Sequence, residues 1–120
     1  MKLSICIPVY NGALTIAGLV DECIDELAAH YELEFVLVND YSRDNSDAVC
    51  KQIKTRYPFV KYISLRRNFS EHNAVMCALN YATGDYAVVI DDDFQNPPTE
   101  IRALVEEARK GFDVVYSKYR

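Results

Sequence analysis

The sequence has no tryptophan and, in 120 residues, only four glycines and four prolines, too few for a flexible linker, a collagen-like repeat or a low-complexity tract. It has no apolar run approaching the roughly 20 residues that a membrane span needs, and the start Met1 to Pro8 is too short for a signal h-region. A soluble, cytoplasmic chain is expected. Basic residues are in the minority, 13 against 18 acidic ones, and the net charge of −5 is a poor match to a phosphate backbone. Nonspecific nucleic-acid binding is therefore excluded as an expectation. The four cysteines, Cys6, Cys23, Cys50 and Cys77, never form a CxxC pair and each sits in an apolar stretch, so buried reduced thiols are expected rather than disulfides or a zinc site. Neither GxGxxG nor GxxxxGK[ST] occurs. The stretch after the first apolar run reads Pro8-Val9-Tyr10-Asn11-Gly12, so a glycine cradle is not the device that would hold a phosphate.

What is present is 50% hydrophobic residues, enough for one core in one domain over residues 1–120. Short continuous apolar runs alternate with stripes at helical spacing, the pattern of a parallel sheet with crossover helices. Strands are expected at Leu3 to Val9, Leu33 to Val38, Val60 to Leu65 and Tyr86 to Ile90, with a fifth from Asp113 to Ser117. Between them run helices carrying Ile16, Leu19, Val20, Cys23, Ile24, Leu27 and Ala28, then Val49, Cys50, Ile53 and Tyr57, then Ala74, Val75, Ala78, Leu79 and Ala82. A fourth opens at Pro97-Pro98-Thr99, carries Ile101, Leu104, Val105 and Ala108, and ends at Gly111. Pro58 ends the second helix, Ser70 is expected to cap the third and Gly84 to close it. The fold class that follows is α/β, a Rossmann-like doubly wound sheet in βαβαβαβαβ order, with its ligand site at the carboxyl ends of the strands.

Chemistry-bearing residues gather at those ends. Asp91, Asp92 and Asp93 follow the run Tyr86 to Ile90, and carboxylates crowded at a strand end call for a cation. In an extended backbone Asp91 and Asp93 share one face, two hard oxygen ligands suited to Mg²⁺ or Mn²⁺, and Gln95 can add a neutral oxygen. With no glycine cradle, a metal is the remaining way to hold phosphate. The competing reading is an acidic turn capping the next helix, the role given to Asp92. Asp40, after the second strand, is placed like the acid that grips a ribose or base, yet Asn39 to Ser46 is also rich in turn formers. Arg66 and Arg67 could meet phosphate or be solvated charge, and His72 is more often neither base nor ligand.

Three stretches occur in order: Ile5-Cys6-Ile7-Pro8-Val9-Tyr10-Asn11, then Val38-Asn39-Asp40-Tyr41-Ser42-Arg43-Asp44-Asn45-Ser46, then Asp91-Asp92-Asp93-Phe94-Gln95-Asn96-Pro97-Pro98. With them the chain resembles the family 2 glycosyltransferases of GT-A fold, and among them the polyprenyl-phosphate branch, relatives of dolichol-phosphate mannosyltransferase and of undecaprenyl-phosphate glycosyltransferases. Leu65-Arg66-Arg67-Asn68-Phe69 and Gly84-Asp85-Tyr86 are similar to that branch as well. The resemblance implies an inverting transfer from a UDP- or GDP-linked sugar to a polyprenyl phosphate, in cell-envelope glycan synthesis at the cytoplasmic face of the membrane. It implies that Pro8, Tyr10, Asn11, Asn39, Asp40 and Asp92 lie at the nucleotide sugar, that Asp91 and Asp93 are the catalytic DxD pair holding Mg²⁺ or Mn²⁺, and that Gln95 assists the metal. Arg120, near Lys118, lies about one position from the branch's acceptor-binding basic residue.

The sequence departs from the pattern where Asn39 replaces a first aspartate and where Tyr41 and Ser70 replace glycines. Tyr41 bears directly on the turn, because glycine there supplies a positive φ. Relatives continue into acceptor-binding segments and membrane helices, so these residues are expected to be the donor-binding part of a longer enzyme, truncated at the C-terminal side, inactive alone and membrane-associated only through missing segments. Two rivals belong to other classes: a receiver-type phospho-acceptor module of similar size, and a nucleotide-sugar-binding module without catalysis. A receiver wants its acids after strands one and three, where this chain has Val9-Tyr10-Asn11 and Arg66-Arg67-Asn68.

Overall fold

A computed structural model describes residues 1–93 and 98–110. In chain order these are β1 (Lys2–Val9), α1 (Ile16–Leu27), β2 (Glu32–Asn39), α2 (Ser46–Arg56), β3 (Val60–Ser64), α3 (Glu71–Tyr81), β4 (Tyr86–Val89) and α4 (Pro98–Arg109). The expected fifth strand and Gly111 lie outside the described residues. All pairings are parallel, in the order β3-β2-β1-β4, with Leu3 opposite Leu33 and Leu3 opposite Tyr86.

The two central strands are buried on both faces, which is why they read as unbroken apolar runs. Alternation then divides their side chains. Leu3, Ile5, Ile7 and Val9 with Leu33, Phe35 and Leu37 pack under α1, α2 and α4. Cys6, Val36 and Val38 pack under Ala74 and Ala78 of α3 on the other face. The small side chains at 74 and 78, one helical turn apart, let α3 lie close to the sheet. Cys6, Cys23 and Cys50 are buried free thiols, and burial pushes each up to about 12, so none is a nucleophile near neutral pH.

Two expectations about α3 fail for physical reasons. Ser70 occupies its N-cap position but makes no side-chain capping hydrogen bond, because its backbone sits at φ 87°, ψ 155°. Gly84 does not close the helix, which ends with Tyr81 and an extended Ala82. Its glycine is needed for close approach instead, since a Cβ there would come within 2.7 Å of Ser4 Oγ and 2.8 Å of Ser4 N on β1.

The same end of the sheet contains a buried acid that the sequence pattern hides. Glu34, near the amino end of β2, is only 4% exposed. Its Oε1 accepts from Ser4 Oγ at 2.7 Å and from the Thr83 N–H at 2.8 Å, and its Oε2 accepts from Thr83 Oγ1 at 2.8 Å and from Lys61 Nζ at 3.0 Å. Burial alone would raise this carboxyl, but the bonds from Thr83, Ser4 and Lys61 outweigh it and hold it down at about 2. The clasp ties the α3–β4 connection to the sheet and so fixes where β4 delivers the aspartates.

Candidate functional site

The order β3-β2-β1-β4 means that the chain steps outward from β1 to β3 and then crosses back to the other side of β1. The carboxyl ends of β1 and β4 therefore flank a topological switch point, where doubly wound sheets open a crevice. A cleft of about 270 Å³ lies there, lined by Pro8, Val9, Tyr10, Asp40, Asn68, Ser70, Glu71, Asp91 and Asp92. Of the expected site residues it brings together Pro8, Tyr10, Asp40, Asp91 and Asp92.

Segments at the ends of all four strands build its walls, and hydrogen bonds lock two of them together. The Asn11 N–H donates to Ser42 Oγ at 3.0 Å, the Gly12 N–H to Ser46 Oγ at 3.0 Å, and the Ala13 N–H to Asp44 Oδ2 at 3.2 Å, while Asn11 Oδ1 accepts from the Arg43 N–H at 2.9 Å. This is the work of the turn formers between Asn39 and Ser46. Asn11 thus ties the two loops through its backbone N–H and Oδ1, in a left-handed conformation (φ 54°) that asparagine tolerates. Tyr41 keeps the glycine-like turn at φ 58°, so the turn geometry survives the substitution at a cost of order 1–2 kcal/mol.

Alternation separates the neighbours Asn39 and Asp40. Asn39 belongs to the α2 side. Its Oδ1 accepts from the Ser42 N–H at 3.0 Å and from Ser42 Oγ, and its Nδ2 donates at 3.0 Å to Tyr62 OH, which itself donates to Asp47 of α2. Asp40 faces the α3 side and the cleft, 4% exposed, with Oδ1 accepting from the Phe69 N–H at 2.8 Å. One carboxylate oxygen thus positions the β3–α3 loop, and the second can accept from a ligand.

The aspartates divide by the same rule. Asp92 reaches back to β1: its Oδ2 accepts from the Tyr10 N–H at 2.8 Å, and its carbonyl accepts from Thr15 Oγ1 at 2.6 Å. A Cβ on Gly12 would stand 2.7 Å from that same Oδ2, so glycine is required for the contact. Asp92 is a strut as well as a lining residue. Burial raises its carboxyl first, the Tyr10 N–H opposes the rise, and the charges of Asp93 and Asp91 add to it. Asp91 lines the cleft from the other direction, while Asp93 is not among the lining residues. Gln95 and Arg120 lie outside the described residues.

Sequence reasoning missed Glu71. It opens α3 across from Asp91, and burial, then the Asp91 charge and a hydrogen bond shared with Asp91, raise its carboxyl. Its position next to Ser70 at a helix start was the available signal. Among the described residues no three His, Cys, Asp or Glu side chains converge on a point as a preformed metal cage would. The donor set is nonetheless one of hard carboxylate oxygens whose mutual repulsion a divalent cation relieves, and it suits Mg²⁺ or Mn²⁺ rather than a soft metal. Neither His72 nor the arginine pair lines the cleft; Arg67 instead stacks 4.8 Å over the Phe69 ring. No helix among the described residues is long and apolar enough to cross a membrane.

Comparison with known proteins agrees with this geometry. The chain is 39% identical to the undecaprenyl-phosphate 4-deoxy-4-formamido-L-arabinose transferase of Proteus mirabilis (strain HI4320), an alignment covering 99% of the chain and 37% of the relative. It therefore spans little more than a third of the length of the curated relatives it matches. Among solved structures, a mannosyltransferase from Pyrobaculum calidifontis in complex with GDP-Man and Mn²⁺ superposes with a TM-score of 0.67 at 26% identity, over 76% of this chain and 27% of that one. S. aureus TarS 1-349 superposes with a TM-score of 0.67 at 26% identity, over 91% and 33%. The expected GT-A architecture is thereby met, and the receiver-type alternative is set aside. Since the profile described as "Glycosyl transferase family 2" matches residues 4–120, the chain belongs to that family.

Proposed function

We propose that the cleft binds the nucleoside-diphosphate part of a nucleotide sugar, and that these residues are the donor-binding part of an inverting transferase whose acceptor is a polyprenyl phosphate. The observation that carries this reading is that Asp40 and Asp91, from two different strand ends, open into one cleft with Pro8 and Tyr10. Tyr10, half exposed at the rim, offers a flat ring to a base. Asp40, anchored by the Phe69 N–H, accepts from a base N–H. The names of relatives support the acceptor class, and the mannosyltransferase complex with GDP-Man and Mn²⁺ supports the donor class and the metal.

Asp91 and Asp93 are the residues that would hold Mg²⁺ or Mn²⁺, with Gln95 as helper. When bound, the cation supplies positive charge that offsets the departing diphosphate, a contribution of several kcal/mol. An acceptor phosphate is already anionic near neutral pH, so its oxygen can attack the anomeric carbon without a strong base from this chain, as the carbon–diphosphate bond breaks on the opposite face. Asp92, engaged with Tyr10 and Thr15, keeps the β1 and β4 loops in register around the donor.

Calorimetric titration with UDP and with GDP, each with Mn²⁺ and again with EDTA, tests the reading. Metal-dependent binding that is lost in Asp91→Ala and in Asp93→Ala is expected. Binding that ignores both the metal and the two substitutions would sink the assignment.

A further inference from the structure

The cleft contains one residue whose conformation its own chemistry does not favour. Ser70 is at φ 87°, ψ 155°, a backbone region that is essentially glycine's. Its main chain is pinned there: its N–H donates to Asn68 Oδ1 at 3.0 Å and its carbonyl accepts from the Ala74 N–H at 3.1 Å. A serine at a helix start ordinarily spends its hydroxyl on the first-turn N–H groups, and this one makes no such bond. The residue lines the cleft.

Its neighbours place it along the ligand. Phe69, one residue before, donates to Asp40 at the end assigned to the base. Glu71, one residue after, faces Asp91 at the end assigned to the diphosphate. In the chain Ser70 stands between the two, so a nucleotide that spanned both ends would bring its ribose past this residue. We infer that Ser70 is a donor-recognition residue of this chain, its hydroxyl hydrogen-bonding a ribose hydroxyl of the nucleotide.

This inference rests on the donor reading of the cleft. A hydroxyl carries one donor and two acceptor positions, so it matches a ribose hydroxyl in either direction. Glycine, which fits the backbone without strain, offers neither.

The test is calorimetric titration of the chain with Mn²⁺ and UDP or GDP, whichever binds, against the 2′,3′-dideoxy form of the same nucleotide. The unaltered chain should prefer the ribonucleotide by about fivefold, the worth of one ordinary hydrogen bond. Ser70→Ala and Ser70→Gly should both bring the preference to near unity by weakening only the ribonucleotide. Ser70→Gly should also raise the thermal midpoint, because it relieves the backbone, and Ser70→Ala should not. An unchanged preference in both variants overturns the ribose contact while leaving the donor reading intact. Absence of any nucleotide binding by the unaltered chain overturns both.

Discussion

Glu34→Gln removes one charge and almost no volume from the clasp at the far end of the sheet. Holding this carboxyl at about 2 rather than 4.5 corresponds to roughly 3 kcal/mol in favour of its charged form. A glutamine keeps one carbonyl for Ser4 and the Thr83 N–H, but turns an NH₂ group toward Thr83 Oγ1 and Lys61 Nζ. Lys61 and Lys2, whose Nζ lies 3.5 Å from Glu34 Oε2, are 41% and 33% exposed and can swing to water, which trims the loss. The expected cost is about 2–3 kcal/mol, read as a lower urea midpoint at pH 7 with the slope unchanged. The pH dependence carries the sign. A carboxyl held lower in the folded state contributes stability that is fully present above its unfolded value near 4.5 and is lost as pH falls toward about 2. The native chain should therefore weaken across that window, and Glu34→Gln should weaken less steeply. A variant within 0.5 kcal/mol of the native chain, with the same acid limb, would refute the clasp.

Two further substitutions probe the loops around the cleft. Tyr41→Gly removes a half-exposed ring and accepts φ 58° without strain, so it should raise stability by about 0.5–1 kcal/mol, read as a higher urea midpoint; a lower midpoint would mean that the ring packs more than its exposure indicates. Gly12→Ala puts a methyl group 2.7 Å from Asp92 Oδ2, and should cost about 1–3 kcal/mol and weaken nucleotide binding as the Tyr10–Asp92 bond gives way. Thermal melting and titration with UDP or GDP measure the two effects, and a neutral result in both would contradict the strut role of Asp92.

Much of this was legible in the residues because the physics was local. β1 and β2 are buried on both faces and so read as continuous apolar runs, and α1 shows its core face at Ile16, Leu19, Val20, Cys23 and Leu27. Asp40 and Asp91 were legible as strand-end acids once the alternation of elements was clear. What escaped depends on contacts between distant segments. Glu34 reads as an ordinary acid in a strand, and only Ser4, Thr83 and Lys61 make it a buried clasp. Gly84 reads as a helix terminator because its close approach to Ser4, 80 residues away, leaves no local mark. Asn39 and Asp40 looked like one constellation, yet a one-residue step on a strand sends them to opposite faces. Glu71 escaped because its position across from Asp91 is set by α3 returning over the opposite face of the sheet.

The central claim is that the strand ends around Asp40 and Asp91 form one metal-assisted nucleotide site. Nuclear magnetic resonance with sub-stoichiometric Mn²⁺ tests it most directly, since the ion broadens the amide signals nearest to it. With UDP or GDP present, broadening should centre on Tyr10, Asp40, Ser70, Glu71 and Asp91 to Asp93, and should spare Glu34, roughly 20 Å down β2 from Asp40. Broadening centred elsewhere while nucleotide is bound, or spread evenly over the chain, would contradict the account.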